Sequence, residues 1–116
     1  MIKFTILIRR NPALTHEEFI TYHRDRHAPL FMSLDCVRDN VRRYVQQHGL
    51  PVALPGLPPV TFDGATELWF DDLEGIGRVF EDPEYLAIIR PDEERFINLL
   101  GCEFLVTEEH LVHPGA

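Results

Sequence analysis

The chain has 116 residues, 45% of them hydrophobic and 26% charged, and nineteen acidic side chains against eleven Lys and Arg leave a formal charge of −8. That length fills one hydrophobic core but not two, so residues 1–116 are expected to form a single domain. So acidic a surface repels nucleic-acid phosphates and anionic membranes, and the small basic cluster of Arg38, Arg42 and Arg43 does not reverse that field.

Ile2, Phe4, Ile6 and Ile8 alternate with Lys3, Thr5 and Leu7, the period of a first strand. Asn11-Pro12 turns the chain. Thr15-His16-Glu17-Glu18 then reads as a capping box, in which the threonine hydroxyl and Glu18 each satisfy a free backbone donor at a helix start. The helix is expected to run to about Ser33, broken or kinked by Pro29 near its end. Val41–His48 reads as a second strand. The stretch GLPVALPGLPP, with four prolines and two glycines, is a long loop of the kind that serves as a lid or binding loop. Ala65–Phe70 makes a third strand, and Asp71 with Glu74 predicts a second capping box on a helix through about Phe80. Asp82-Pro83 and Arg90-Pro91 each restart a helical turn, and Cys102–Thr107 closes the series as a fourth strand.

The resulting order, β-α-β-β-α-β, predicts an α+β, ferredoxin-like fold: a four-stranded antiparallel sheet with helices on one face. The other face carries Leu7 together with either Trp69 or the pair Leu68 and Phe70. An apolar face left bare calls for a partner, so a homodimer through the sheet face is expected. Cys36 and Cys102 stand far apart without a CxxC motif and read as reduced thiols of a cytoplasmic protein. The N-terminal apolar run is too short for a signal sequence, and no segment approaches the roughly twenty apolar residues of a membrane span.

Within the first helix, residues 22–30 read YHRDRHAPL. At helical spacing His23 and His27 fall in the same stripe as Phe19, Ile20, Leu30 and Phe31, while Arg24, Asp25 and Ala28 fall opposite. Two imidazoles on the buried stripe, with His48 at the end of the next strand, predict a functional pocket containing a general base. Partial burial of such a histidine is expected to lower its pKa toward neutrality or below. A metal bound by His23, His27 and His48 is a weaker alternative: the zinc motif HExxH requires glutamate where this chain has Arg24. No metal is therefore expected. Tyr44, Gln46 and His48 share a strand face and can form a polar strip in a cavity. Glu67 sits mid-strand beside Leu68 and Trp69, either as a buried acid or at an interface. No GxGxxG or GxxxxGK motif supports a nucleotide cofactor.

The stretches THEEFITYHRDRHAPLF, RRYVQQH, FDGATELWFDD and EEHLV together resemble the EthD family of the dimeric α+β barrel superfamily, over nearly the whole chain. Where the family pattern often has tryptophan after the helix tyrosine, this chain has His23. The resemblance implies a pocket between sheet and helices that works without a cofactor, and His27 as its acid-base residue, with His48 or His23 assisting. Phe19, Tyr22, Tyr44, Trp69 and Glu67 are the candidates to contact a substrate. The expected chemistry is that of a dehydratase, cyclase, decarboxylase or isomerase acting on a small aromatic, polyketide-like or lactone compound. A cofactor-free oxygenase and a non-catalytic protein that shelters a metabolite are the alternatives.

Overall fold

A computed structural model describes residues 1–115. Four strands, β1 (Ile2–Ile8), β2 (Val41–His48), β3 (Gly64–Phe70) and β4 (Glu103–Glu108), form one antiparallel sheet in the order β2-β3-β1-β4. The helices α1 (His16–Tyr22), α2 (Ala28–Met32), α3 (Asp35–Asn40), α4 (Leu73–Phe80) and α5 (Arg90–Phe96) supply the second layer of the β-α-β-β-α-β order read from the sequence. The period-2 alternation decides which side chains meet them. Phe4, Ile6, Ile8, Thr66, Leu68 and Phe70 are buried against the helices. Lys3, Thr5, Leu7, Ala65, Glu67 and Trp69 take the opposite face. That open face is mixed and not simply apolar: Lys3 pairs with Glu67, and Lys3 and Arg43 both lie over the Trp69 ring. Leu68 and Phe70 therefore belong to the core, and Trp69 to the open face.

The capping box at Thr15 is present in full, its hydroxyl accepting from the Glu18 amide and the Glu18 carboxylate accepting from the Thr15 amide. Pro29 does not break the helix. A wide π-helical turn, His23–His27, joins α1 to α2, and the Ala28 amide bonds the His23 carbonyl five residues back. In a regular helix Pro29 would press its ring on the carbonyl four residues back and leave it without a donor, at ~3 kcal/mol or more. The wider turn moves that bonding out of register and lets the chain continue helical. The same device recurs in the second half. A π-helical turn at Tyr85–Ile89 ends with the Arg90 amide bonded to the Tyr85 carbonyl, and Pro91 follows at the start of α5. The Asp82-Pro83 and Arg90-Pro91 signals thus mark a single helical stretch with a wide turn, not two separate restarts.

Two boundaries differ from expectation. The cap of α4 is Asp72, whose carboxylate accepts from the Gly75 amide, because the chain leaves β3 one residue later than Asp71 requires. β4 begins at Glu103, since Cys102 terminates a short 3₁₀ turn, Leu99–Gly101. The proline-rich segment is a loop as expected, with Leu50, Val52, Leu54, Leu57 and Val60 exposed. Its two ends are tied together: the Gly49 amide bonds the Asp63 carbonyl at 2.9 Å. Gly64, just past it, has no room for a side chain, because a Cβ there would lie 2.4 Å from the Gln47 carbonyl oxygen. Cys36 and Cys102 are both free thiols. Among the described residues no helix is long and apolar enough to cross a membrane.

Candidate active site

The cavity lies between the sheet and the two π-helical stretches. Ile6, Ile8 and Leu68 form its floor, and Phe31, Phe80, Phe96 and Ile97 form its walls. Its free space is narrow, about 20 Å³. The polar groups on its surface are few: His23, His27, Tyr44, Thr66 and Glu93.

His27 is 8% exposed and is held by Asp92 on α5, with its Nδ1 at 2.9 Å from Asp92 Oδ2. The other carboxylate oxygen, Oδ1, accepts a hydrogen bond from the Tyr22 hydroxyl at 2.5 Å. Burial raises the Asp92 pKa, but the hydrogen bonds from His27 and Tyr22 outweigh it, and the carboxyl is held below its ordinary value. An ionised Asp92 accepts the Nδ1 proton and so fixes the tautomer that presents Nε2 as the free nitrogen. The ring is set in place by Phe96, 4.7 Å between centroids, and by Phe31, stacked at 6.0 Å.

His23 is built differently. It is 1% exposed, with Nδ1 at 3.0 Å from His48 Nε2 and Nε2 at 3.0 Å from Thr66 Oγ1. Both ring nitrogens are thus engaged by the protein, and the backbone carbonyl accepts from Gln46 Nε2 at 2.8 Å. Burial, reinforced by the neighbouring His27 and His48, lowers its pKa to about 3, so it is neutral at any physiological pH. His48 is also lowered, first by burial and then by the charge of Arg24.

Not all of the residues singled out in the sequence meet in this cavity. His23, His27 and Tyr44 line it. Phe19 is fully buried behind His23, stacked on it at 5.4 Å, and His48 touches His23 without reaching the lining. Tyr22 stays outside the lining, bonded to Asp92 and stacked on Phe96 at 5.1 Å. Trp69 and Glu67 project from the open face of the sheet, on the far side from the cavity. Among the described residues no cluster of three or more His, Cys, Asp or Glu is arranged to hold a metal ion.

Sequence reading did not reach Asp92, Glu93 or Tyr85. All three are buried, and Tyr85 donates to Glu93 at 2.5 Å from Oε1 and 2.9 Å from Oε2. One signal was available. In RPDEERF the acidic pair lies next to a helix-starting proline, where exposed acids are ordinary, and only the helical phase set by Phe96 turns Asp92 and Glu93 inward.

An antiparallel β-α-β-β-α-β sandwich with a histidine-bearing cavity between sheet and helices defines a ferredoxin-like α+β protein of the small-cavity kind. Residues 11–99 match the family model described as the EthD domain, so the chain belongs to the EthD family. Solved structures agree. An ethyl tert-butyl ether D (EthD) family protein from Bacillus halodurans is 21% identical, with a TM-score of 0.70 over 95% of this chain and 99% of that one. An EthD-like protein from Ralstonia eutropha is 19% identical, with a TM-score of 0.70 over 97% and 95%. A dimeric protein of unknown function with a ferredoxin-like fold, from Bacteroides fragilis, is 14% identical, with a TM-score of 0.60 over 93% and 95%. At these identities the likeness speaks for the fold. No curated protein matches the sequence.

Proposed function

We propose that this EthD protein is a small enzyme in which His27 takes a proton from a small aromatic, polyketide-like or lactone substrate and returns it. The reaction is of the lyase or isomerase type. The observation that carries this reading is the Asp92–His27 pair, at 2.9 Å, opening onto an apolar cavity. Asp92 holds the imidazole in one tautomer and stabilises the imidazolium that forms once Nε2 accepts a proton. The apolar walls keep water from competing for that proton. His23 and His48 assist by shape: with both its nitrogens engaged, His23 holds Thr66 and the end of β2 against the helix. The protein acts as a homodimer, in keeping with the Bacteroides fragilis neighbour described as dimeric, and we assign that contact to the open sheet face.

The test is turnover of a panel of phenols, enolisable ketones and lactones. With an active compound in hand, His27→Ala is expected to lower kcat by about 10²–10⁴-fold, the usual range for a general acid-base residue, with an unchanged circular dichroism spectrum. Asp92→Asn is expected to lower kcat as well, because an amide that turns its own NH₂ toward Nδ1 selects the opposite tautomer. Retained turnover in His27→Ala would defeat the assignment. Tight binding with no turnover anywhere in the panel would favour the metabolite-sheltering alternative.

A further inference from the structure

The helices bury the inward side chains of β1 and β3 but stop short of the edge strand β4. Phe104 pairs with Ile6 across the sheet and so shares the helix-facing side, yet it is 51% exposed where Ile6 is buried. The uncovered strip leaves a second pocket between β4, α4 and the start of α5, with about 190 Å³ of free space. Its apolar lining comes from Phe4, Ile6, Ile76, Phe80, Leu99 and Phe104. Three of its lining residues, Ile6, Phe80 and Glu93, also line the narrow histidine cavity, so the two spaces adjoin. The narrow one has room for about one water, and no ring fits there beside His27. A dry apolar cavity of about 150 Å³ takes benzene, so the outer pocket admits one ring with a short substituent.

The polar groups of this pocket are Tyr85, Arg90 and Glu93. Arg90 Nε lies 3.0 Å from Glu93 Oε1, an ion pair whose acid is buried. The Tyr85 hydroxyl gives its proton to the same carboxylate. Neither Tyr85 nor Glu93 therefore has a donor left for a ligand. Arg90 does: a guanidinium carries five N–H groups, the Glu93 bond uses the one on Nε, and the side chain is 38% exposed. Because Glu93 already balances the charge of Arg90, a second anion would meet a carboxylate as well as a guanidinium. An uncharged acceptor takes an N–H bond from Arg90 without that repulsion. Ligand sites of this make-up, apolar walls with a few placed polar groups, fix a ligand's orientation by the polar contact and hold it by burial.

We infer that the outer pocket binds the body of the substrate, an uncharged molecule of one ring whose carbonyl oxygen accepts from Arg90, such as an aryl ketone or a small lactone. Calling that ligand a substrate rests on the reading of this protein as an enzyme. With the ring held against Phe80 and Phe104, no more than a substituent enters the narrow cavity. The exposed ring of Phe104 is then the wall that a bound ligand covers.

The probe is acetophenone, titrated into the full ¹⁵N-labelled chain. Saturable amide shifts are expected around Ile76, Leu99 and Phe104. Their absence, or shifts centred on Leu14 and Thr21 in the open groove along α1, would overturn the proposal. Ethylbenzene has the same shape without the acceptor and should bind about tenfold more weakly, the lower end for a hydrogen bond to a charged group. Equal affinity would exclude the contact with Arg90. Benzoate should also bind more weakly than acetophenone, and tighter binding would show an anion site instead. Ile76→Trp fills the pocket and should abolish the shifts. Phe104→Ala, on the exposed edge strand, keeps the fold testable and should weaken binding several-fold; unchanged affinity there would sink the idea. Shifts at this pocket with no turnover of any compound uphold the pocket and remove the enzyme reading. Turnover of a compound whose shifts lie elsewhere keeps the enzyme and overturns the pocket.

Discussion

His23 and His27 stand four residues apart on one helical stretch, yet their surroundings make them chemically unlike. His27 shares its Nδ1 proton with a carboxylate and keeps Nε2 for the cavity. His23 gives both nitrogens to neutral partners, Thr66 and His48, and pays for its burial by losing basicity. The consequence is a pH dependence with a definite sign. A histidine whose folded pKa is depressed from 6.5 to about 3 contributes stability that is present above pH 6.5 and lost as pH falls toward 3. At about 1.4 kcal/mol per pH unit the loss is on the order of 4–5 kcal/mol as an upper bound. Urea unfolding of the wild type should therefore shift to lower midpoints from about pH 6.5 downward, and His23→Gln should flatten that limb. An acid limb unchanged by the substitution would mean that His23 is not the buried neutral group described here.

The elements position the site through local chemistry that the chain states openly and through one device that it does not. The capping box at Thr15, the proline-rich loop and the alternation of β1 and β3 follow directly from residue type and spacing. The π-helical turns do not. Pro29 signals a disturbance, but whether a helix stops, kinks or widens depends on what it packs against. Here both wide turns pack between the sheet and the opposing helix, which favours continuing the helix over ending it. The loop between β2 and β3 shows the same dependence. His16 in the first turn of α1 reaches the loop, with Nδ1 2.8 Å from Asp63 Oδ1 and Nε2 2.8 Å from the Gly49 carbonyl oxygen. Both partners are acceptors, so only the doubly protonated ring satisfies both. The hydrogen bond to Asp63, then that to Gly49, raises the His16 pKa against the effect of burial. Arg10 also pairs with Asp63, and Glu17 adds negative charge nearby. The sign is opposite to that of His23: the stabilisation is complete below pH 6.5 and is lost as pH rises through the raised value. Hydrogen-exchange protection of the Gly49 amide, corrected for intrinsic rate, should fall across that range, and His16→Gln should remove the dependence. Protection that is flat with pH in the wild type would contradict it.

For the molecule as a whole, the open sheet face is the surface through which the proposed homodimer forms. It combines Leu7, Val45, Trp69 and Leu105 with the Lys3–Glu67 pair, a mixture suited to contact with a second copy of itself. Leu105, on the edge strand β4 and 53% exposed, pairs with Thr5 across the sheet and projects to this face. Leu105→Asp should place like charges across a two-fold contact and halve the mass measured by light scattering, while leaving the helix-side cavity intact. A monomeric wild type, or a variant with undiminished mass, would exclude this face as the interface.

What the amino-acid sequence determined by itself was whatever depends on near neighbours. That includes the order β-α-β-β-α-β, the cap at Thr15, the stripe that turns His23 and His27 inward, and the shared face of Tyr44, Gln46 and His48. Family membership was legible for the same reason, since its motifs are short runs within those elements. Only the tertiary structure decided which side chain from elsewhere meets each of them. Asp92 lies 65 residues from His27 in the chain and 2.9 Å from it in space, and Thr66 reaches His23 across 43 residues. Periodicity assigns a side chain to a face but says nothing of what stands across from that face. The separation of Trp69 and Glu67 from the cavity was settled by which face of the sheet the helices cover, and the contrast between Asp92 and Glu93 by the different partners that α5 brings them. A carboxyl group's pKa is pushed down or up according to the groups that surround it, and a partner such as His27 comes from a distant part of the chain.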